Sequence, residues 1–530
     1  MKLYRAFATV GGLTMVSRVL GFLRDILLAR VLGTGLVADA FVVAFRFPNL
    51  FRRLFGEGAF NSAFVPLFAG RLEGEGHAAA KAFAEEAMAG LVFVLLLLSA
   101  VCMIAMPWLM LVLAPGFAAT PEKFDLAVVM SQIAFPYLLC MSLVALLSGV
   151  LNTLGRFVES SSISIVLNLT LMAAMGLALA LGYGNDRDTG LVLAWGIFAA
   201  GVLQLVLLVD GVRRNGMLLR LRRPRMTEGV RRLVVLGIPG VVAGGVTQIN
   251  IVIGGMIASF QERAVSYLYY ADRLYELPLA IIGIAIGVVL LPDVSRHLRA
   301  GNHAAVMDSQ NRSLELAMLL TLPAAVALAV VPQPIVSVLF ERGAFRPEDT
   351  APVAWALAVF AMGLPSFVLI KVFSPAYFAR EDTATPMRYA SISLVANTAG
   401  SVALFFLFRA LGLMPHVGIA VATTLGGWLN AGLLYATLRE RGQFVADARL
   451  LRSLPRIAVA SAAMGAALLI AAGALGARLA AAGVVERFGA LAALVATGLV
   501  VYAVAAFGLG VVTPRQLLGQ LRRDPPGGAA

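Results

Sequence analysis

The sequence predicts an all-α, polytopic membrane protein of about 14 transmembrane helices, built as two pseudo-symmetric six-helix lobes plus two C-terminal helices. Three observations predict it. The chain is 60% hydrophobic and 13% charged, with a mean hydropathy of +0.88, whereas soluble domains carry about 25% charged residues. Apolar runs near the ~20 residues that cross a bilayer recur between short polar loops. The chain also repeats itself at a spacing of about 228 residues.

The expected helices cover about 7–31, 36–62, 82–112, 126–152, 162–182, 190–211, 233–258, 265–291, 314–332, 351–373, 387–408, 418–438, 457–476 and 489–512. No loop is long enough for a separate soluble domain. The first apolar stretch lacks an A-x-A cleavage site and is expected to be a retained helix. The net charge of +13 belongs to loops rather than to a nucleic-acid surface. Eight arginines fall between Arg213 and Arg232, and five between Arg439 and Arg456. The alternate loops are poor in them: 113–125 offers only Lys123 and 183–189 only Arg187. Basic loops stay cytoplasmic, which places both termini in the cytoplasm. Anionic lipid headgroups are a second reading of the 213–232 run.

The repeat defines the lobes. Ser162-Ile163-Ser164-Ile165-Val166-Leu167-Asn168 recurs as Ser391-Ile392-Ser393-Leu394-Val395-Ala396-Asn397. Pro66 and His77-Ala78-Ala79 recur as Pro292 and His303-Ala304-Ala305, Arg46 falls opposite Arg273, and Pro136 opposite Pro365. The expected domains are 1–212 (helices 1–6), a basic linker 213–232, 233–440 (helices 7–12) and 441–530 (helices 13–14 and tail). Two parallel bundles with a site between them are a frequent transporter plan.

A charge inside a membrane helix costs several kcal/mol by insertion scales and marks function by default. The first two helices carry a cluster of them. Helix one holds Arg18, Arg24 and Asp25; helix two holds Asp39, Arg46, Arg52, Arg53 and Glu57. Asp39, Arg46 and Arg53 share one helical face, and Arg53 and Glu57 are spaced to pair. Pro48 should kink helix two. Helix eight adds Asp272, Arg273 and Glu276, with Arg273 expected to face the same cavity as Arg46. Lys371 either lines that cavity or snorkels. Arginine suits bidentate contact with phosphate, so the arginine excess points to an anionic ligand, a phosphate or diphosphate. Helix-end snorkelling is the bland alternative, and it fits Arg30 and Arg53 better than Arg18, Arg24 or Arg46.

The remaining reactive residues point to no chemistry. Cys102 and Cys140 sit in apolar segments and are expected to be packing residues. The four histidines do not cluster, so no metal site and no cofactor is expected. Gly56-Glu57-Gly58 lacks the strand context and lysine of a phosphate loop. Asn168 and Asn397 are expected to bond between helices more than to hold a cation.

The stretches Ser17-Arg18-Val19-Leu20-Gly21-Phe22-Leu23-Arg24-Asp25, Ala38-Asp39-Ala40-Phe41 and Phe45-Arg46-Phe47-Pro48-Asn49-Leu50-Phe51-Arg52-Arg53 resemble the lipid II flippase family (MurJ/MviN). So do Glu57-Gly58-Ala59-Phe60, Ala271-Asp272-Arg273-Leu274-Tyr275-Glu276-Leu277-Pro278 and Phe340-Glu341-Arg342-Gly343-Ala344-Phe345. The resemblance covers nearly the whole chain. It implies the fold of the multidrug/oligosaccharidyl-lipid/polysaccharide (MOP) exporters. It implies movement of lipid II, a lipid-linked diphosphate, between leaflets of the bacterial cytoplasmic membrane, by a protein working as a monomer. It implies substrate contacts at Arg18, Arg24, Arg52 and Arg273, with Asp25, Asp39 and Glu57 at family acidic positions. Some members hold sodium with acids on helices seven and eleven. Here those helices offer Gln248 and Asn250, and Asn397 and Ser401, which argues against sodium coupling. A cation-coupled drug exporter needs acids rather than an arginine excess. A membrane enzyme needs paired acids, a metal site or a catalytic loop, and none is visible.

Overall fold

A computed structural model describes residues 2–52, 60–481 and 483–511, without side chains at 2–9, 51–52, 60–62, 239–247, 249–251 and 284–289. Its regular elements are helices, with no strand among the described residues. As far as they are described, the apolar segments expected from the sequence all lie in helices. Ten helical stretches among the described residues are long and apolar enough to cross a membrane, and they match ten of the fourteen expected spans. The chain is thus a multi-pass helical membrane protein.

The chain divides into two compact units. The first holds residues 1–270 and the short segment 342–346. Its helices are α1 (Lys2–Leu32), α2 (Leu36–Arg52), α3 (Phe60–Gly74), α4 (His77–Ile104), α5 (Met106–Leu113), α6 (Pro121–Ala134), α7 (Tyr137–Thr153), α8 (Phe157–Ala180), α9 (Arg187–Arg214) and α10 (Glu228–Ala258). The opening of α11 (Ala264–Arg299) also belongs to it. Two expected helices prove to be pairs, and proline is the reason. Pro107 has no N–H for the carbonyl of Met103 and crowds it, so α4 ends at Ile104 and α5 begins. The Gln132 side chain donates to that Met103 carbonyl at 2.9 Å. Pro136 divides α6 from α7 in the same way.

Within this unit α1 packs on α8, α8 and α7 on α9, α2 on α6, and α10 on α3. The basic linker is tied down. Glu85 of α4, 1% exposed, accepts the Arg220 amide at 3.0 Å and pairs with Arg222 at 2.6 Å. Thr227 caps α10 and donates to Glu86 at 2.8 Å. The family-like segment 342–346 folds back onto the end of α1. The Ala344 amide donates to the Arg30 carbonyl at 2.8 Å. This contact requires glycine twice: Gly33 and Gly343 have φ of 56° and 62°, and a Cβ on them would stand 2.2 Å from Ala344 O and 2.4 Å from Arg30 O.

The second unit holds 271–341 and 347–530. Beyond the rest of α11 it contains α12 (His303–Val330), α13 (Pro332–Phe340), α14 (Pro347–Phe378), α15 (Ala384–Ala410), α16 (Pro415–Glu440), α17 (Ala448–Ala474), α18 (Gly476–Leu479) and α19 (Val484–Gly508). Helix starts at 77, 106, 121, 157 and 187 recur at 303, 332, 347, 384 and 415, so the sequence repeat is a repeat of elements. Neighbours repeat too: α15 packs on α16, and α14 on α16 and α12.

Polar contacts fix the ends of these helices. Arg312 and Ser453 meet at Glu315, and Arg312 also reaches Asp447, the N-cap of α17. Arg487 of α19 donates to Ser337 O at 2.9 Å. In the α14–α15 turn, the Arg441 guanidinium bonded to Asp382, with help from Thr385, brings that carboxyl down to about 2. His416 is fully buried in α16 and bonds Pro352 O at 3.0 Å.

Candidate anion site in the first unit

Arg24 and Asp25 sit two-thirds along α1 and are 9% and 4% exposed. Asp25 Oδ1 accepts Arg24 Nε at 3.1 Å and Nη2 at 2.7 Å. Arg24 Nη1 donates to Asn168 Oδ1 of α8 at 3.0 Å, and Asn168 Nδ2 donates to the Ser17 carbonyl at 3.0 Å. Asn168 therefore bonds between helices, as its place in the repeat suggests, and aims the guanidinium. Arg24 also lies 5.8 Å from the Phe45 ring centroid. A small cavity opens beside it, lined by Arg24, Tyr269 and otherwise Leu, Phe and Met side chains. Charge interactions strengthen where water is scarce, so this guanidinium is well placed to hold a phosphate in exchange for Asp25.

Arg46 of α2 stacks over Tyr269, 5.8 Å from the ring centroid. Pro48 lies inside α2 and leaves a gap in its ladder; the Asn49 side chain donates to Phe45 O at 3.0 Å. Arg18, expected in a cavity, is an exposed residue of α1 with no ion pair among the described residues. The Arg52 side chain, Arg53 and Glu57 lie outside the described residues.

Asp39 belongs to a different arrangement from the one expected. It is 0% exposed and does not face the arginines. Lys123 Nζ pairs with its Oδ2 at 2.5 Å, and the Ser266 and Arg263 amides donate to it at 2.8 and 3.2 Å. The carboxylate caps the N-terminus of α11, where a negative charge is favoured. Lys123, read from the sequence as a loop charge, is buried in the first turn of α6 and lies 4.3 Å from the Phe117 ring centroid. Nothing in its local sequence distinguishes it from a loop lysine.

In the second unit Arg273 bonds Asp272 at 2.9 Å and Glu276 at 3.0 Å, with side-chain exposures of 25%, 25% and 36%. All three charges thus pair within one turn of α11. Lys371 packs against Gly283, whose Cβ would meet its Nζ at 2.5 Å. Among the described residues no group of three or more His, Cys, Asp or Glu can hold a metal. On α15, Ser401 donates to Asn397 Oδ1 at 3.3 Å.

Two helical units repeating one order of elements, with buried ion pairs in the first, make a fold shared with solved structures of the MOP superfamily. The fold matches a structure titled "Lipid II flippase MurJ, inward closed conformation" with a TM-score of 0.77 over 97% of this chain and 99% of that one, at 23% identity. An inward-facing multidrug resistance MATE family transporter of the MOP superfamily matches at 0.65 over 82% and 98%, at 14% identity. The family described as lipid II flippase MurJ matches residues 28–482, and the chain belongs to that family. It is 47% identical to the probable lipid II flippase MurJ of Rhizobium meliloti, over 100% of this chain and 97% of the relative. It is 35% identical to the lipid II flippase MurJ of Burkholderia cenocepacia, over 89% of each.

Proposed function

We propose that this chain flips lipid II from the inner to the outer leaflet of the bacterial cytoplasmic membrane, by alternating access, for cell-wall synthesis. Both termini lie in the cytoplasm, and the monomer is the working unit. The observation that carries the reading is the buried Arg24 guanidinium, bonded to Asp25 and Asn168 beside a cavity, in a chain nearly half identical to a probable lipid II flippase. A diphosphate brings several oxygens to compete for that guanidinium. Arg18, Arg24 and Arg46 are the proposed anion contacts of the first unit, with Arg52 and Arg53 as further members and Glu57 as their acidic partner. Arg273 is the contact contributed by the second unit. No cofactor takes part. The membrane potential, worth about 2.3 kcal/mol per charge per 100 mV, drives the charged complex.

Cation export is disfavoured because Asp25 and Asp39 are already engaged, with Arg24 and Lys123. The test is Arg24→Ala reconstituted in liposomes with labelled lipid II. Flipping should fall at least tenfold, with a thermal melt close to that of the unaltered protein. Full complementation of a flippase-depleted strain by Arg24→Ala overturns the assignment.

A further inference from the structure

Three donors meet at Asp25 Oδ1. Two come from Arg24 on the same helix. The third is the phenol of Tyr269, which donates at 3.1 Å from the second turn of α11, 244 residues away. When an anion takes Arg24, the buried carboxylate loses both near donors. A buried charge without a partner is strongly unfavourable, so the exchange needs another donor at that moment. Among the described residues that line the cavity, Tyr269 can supply it: apart from Arg24, the other lining side chains are Leu, Phe and Met.

The phenol is held ready by its surroundings. The first two turns of α11 are anchored through Ser266 to Asp39 and through the Tyr270 hydroxyl to the Gly33 carbonyl at 2.8 Å. The face of the Tyr269 ring carries Arg46, whose guanidinium lies 5.8 Å from the ring centroid. We propose that Tyr269 is a positioning residue for anion exchange at Arg24: it keeps Asp25 hydrogen-bonded while a substrate phosphate holds the guanidinium. This rests on the reading of Arg24 as an anion contact.

The test is equilibrium binding of fluorescent lipid II to the full chain in nanodiscs, with four proteins: unaltered, Tyr269→Phe, Asp25→Asn and the double variant. Phenylalanine keeps the ring beneath Arg46 and removes only the donor. Tyr269→Phe should weaken binding about tenfold, as expected for losing one hydrogen bond to a charged group. In the Asp25→Asn background the same change should cost less than about twofold, because no charge is then stranded. A purely structural role predicts equal losses in both backgrounds, and that result, or unaltered binding by Tyr269→Phe, overturns the proposal. If Tyr269→Phe does not yield folded protein, 3-fluorotyrosine at 269 serves instead. Its stronger donor should tighten binding by a few fold, and unchanged or weaker binding overturns the proposal. Arg24→Ala separates the two readings: if it binds lipid II as the unaltered protein does, the Arg24 assignment fails and takes this proposal with it. If Arg24→Ala loses binding while Tyr269→Phe does not, this proposal alone fails.

Discussion

Asp25 and Asp39 lie on neighbouring helices, are both almost fully buried, and both receive hydrogen bonds from the opening turns of α11. Their surroundings differ. Asp39 uses both oxygens, with a lysine from α6 and two backbone amides at the start of α11. Every one of those partners lies far from it in the chain, and backbone amides cannot move without moving the helix. Asp25 uses one oxygen, for a guanidinium on the next residue and a single phenol. Its partners are side chains at the edge of a cavity. A charge inside a membrane helix is therefore insufficient to mark a transport site. What separates the two carboxylates is whether their partners can be exchanged. Asp39 joins helices, whereas Asp25 holds the neighbouring guanidinium at the edge of a cavity.

The sharpest way to break this contrast is to remove Lys123. Lys123→Ala leaves a fully buried Asp39 with amide partners alone, and breaking a buried pair costs about 3–5 kcal/mol. The full chain in detergent should melt well below the unaltered protein or fail to accumulate. A melt unchanged within error shows that Asp39 is not the structural member of the pair. Asp25→Asn should destabilise less, about 2 kcal/mol, since the asparagine oxygen still accepts from Arg24 and Tyr269. Its main effect should be on the anion. With the competing carboxylate neutralised, lipid II binds several-fold tighter and leaves more slowly, so net flipping falls. Binding and flipping assays on the same preparation check both signs. Weaker binding by Asp25→Asn means that the carboxylate supports the anion site instead of competing with it.

Much of the fold was legible in the sequence because hydropathy is a local property. Segment positions, the repeat and the charged helices all follow from windows of about twenty residues. The helix breaks at Pro107 and Pro136 do not show in hydropathy, because both prolines sit inside continuous apolar runs. The site was legible only in part. Arg24 and Asp25 stand out as charges in an apolar helix, and they are neighbours in the chain. Asp39 stands out equally, yet its partner Lys123 is 84 residues away at a helix start that resembles a loop. Tyr269 was invisible for a related reason. A tyrosine among apolar residues carries no signal of function until its hydroxyl is placed against a carboxylate from another helix. His416 and Glu85 follow the same rule: each is recognisable as buried and bonded only through a partner distant in sequence.

Arg273 gives the smallest expected effect on stability and extends the comparison to the second unit. Its partners Asp272 and Glu276 are on its own helix within one turn, and all three side chains are a quarter to a third exposed. Such local, hydrated pairs contribute less than about 1 kcal/mol, so Arg273→Gln should melt close to the unaltered protein. If the arginine serves the anion, flipping should nevertheless fall at least tenfold, since nothing in a glutamine replaces a bidentate cation. Arg273→Lys then discriminates further: a lysine keeps the charge and the local pairing but not the fork, and it should recover only part of the rate. Full activity in Arg273→Gln shows instead that α11 carries a self-neutralising ion pair, and that the anion site is built from the first unit's arginines.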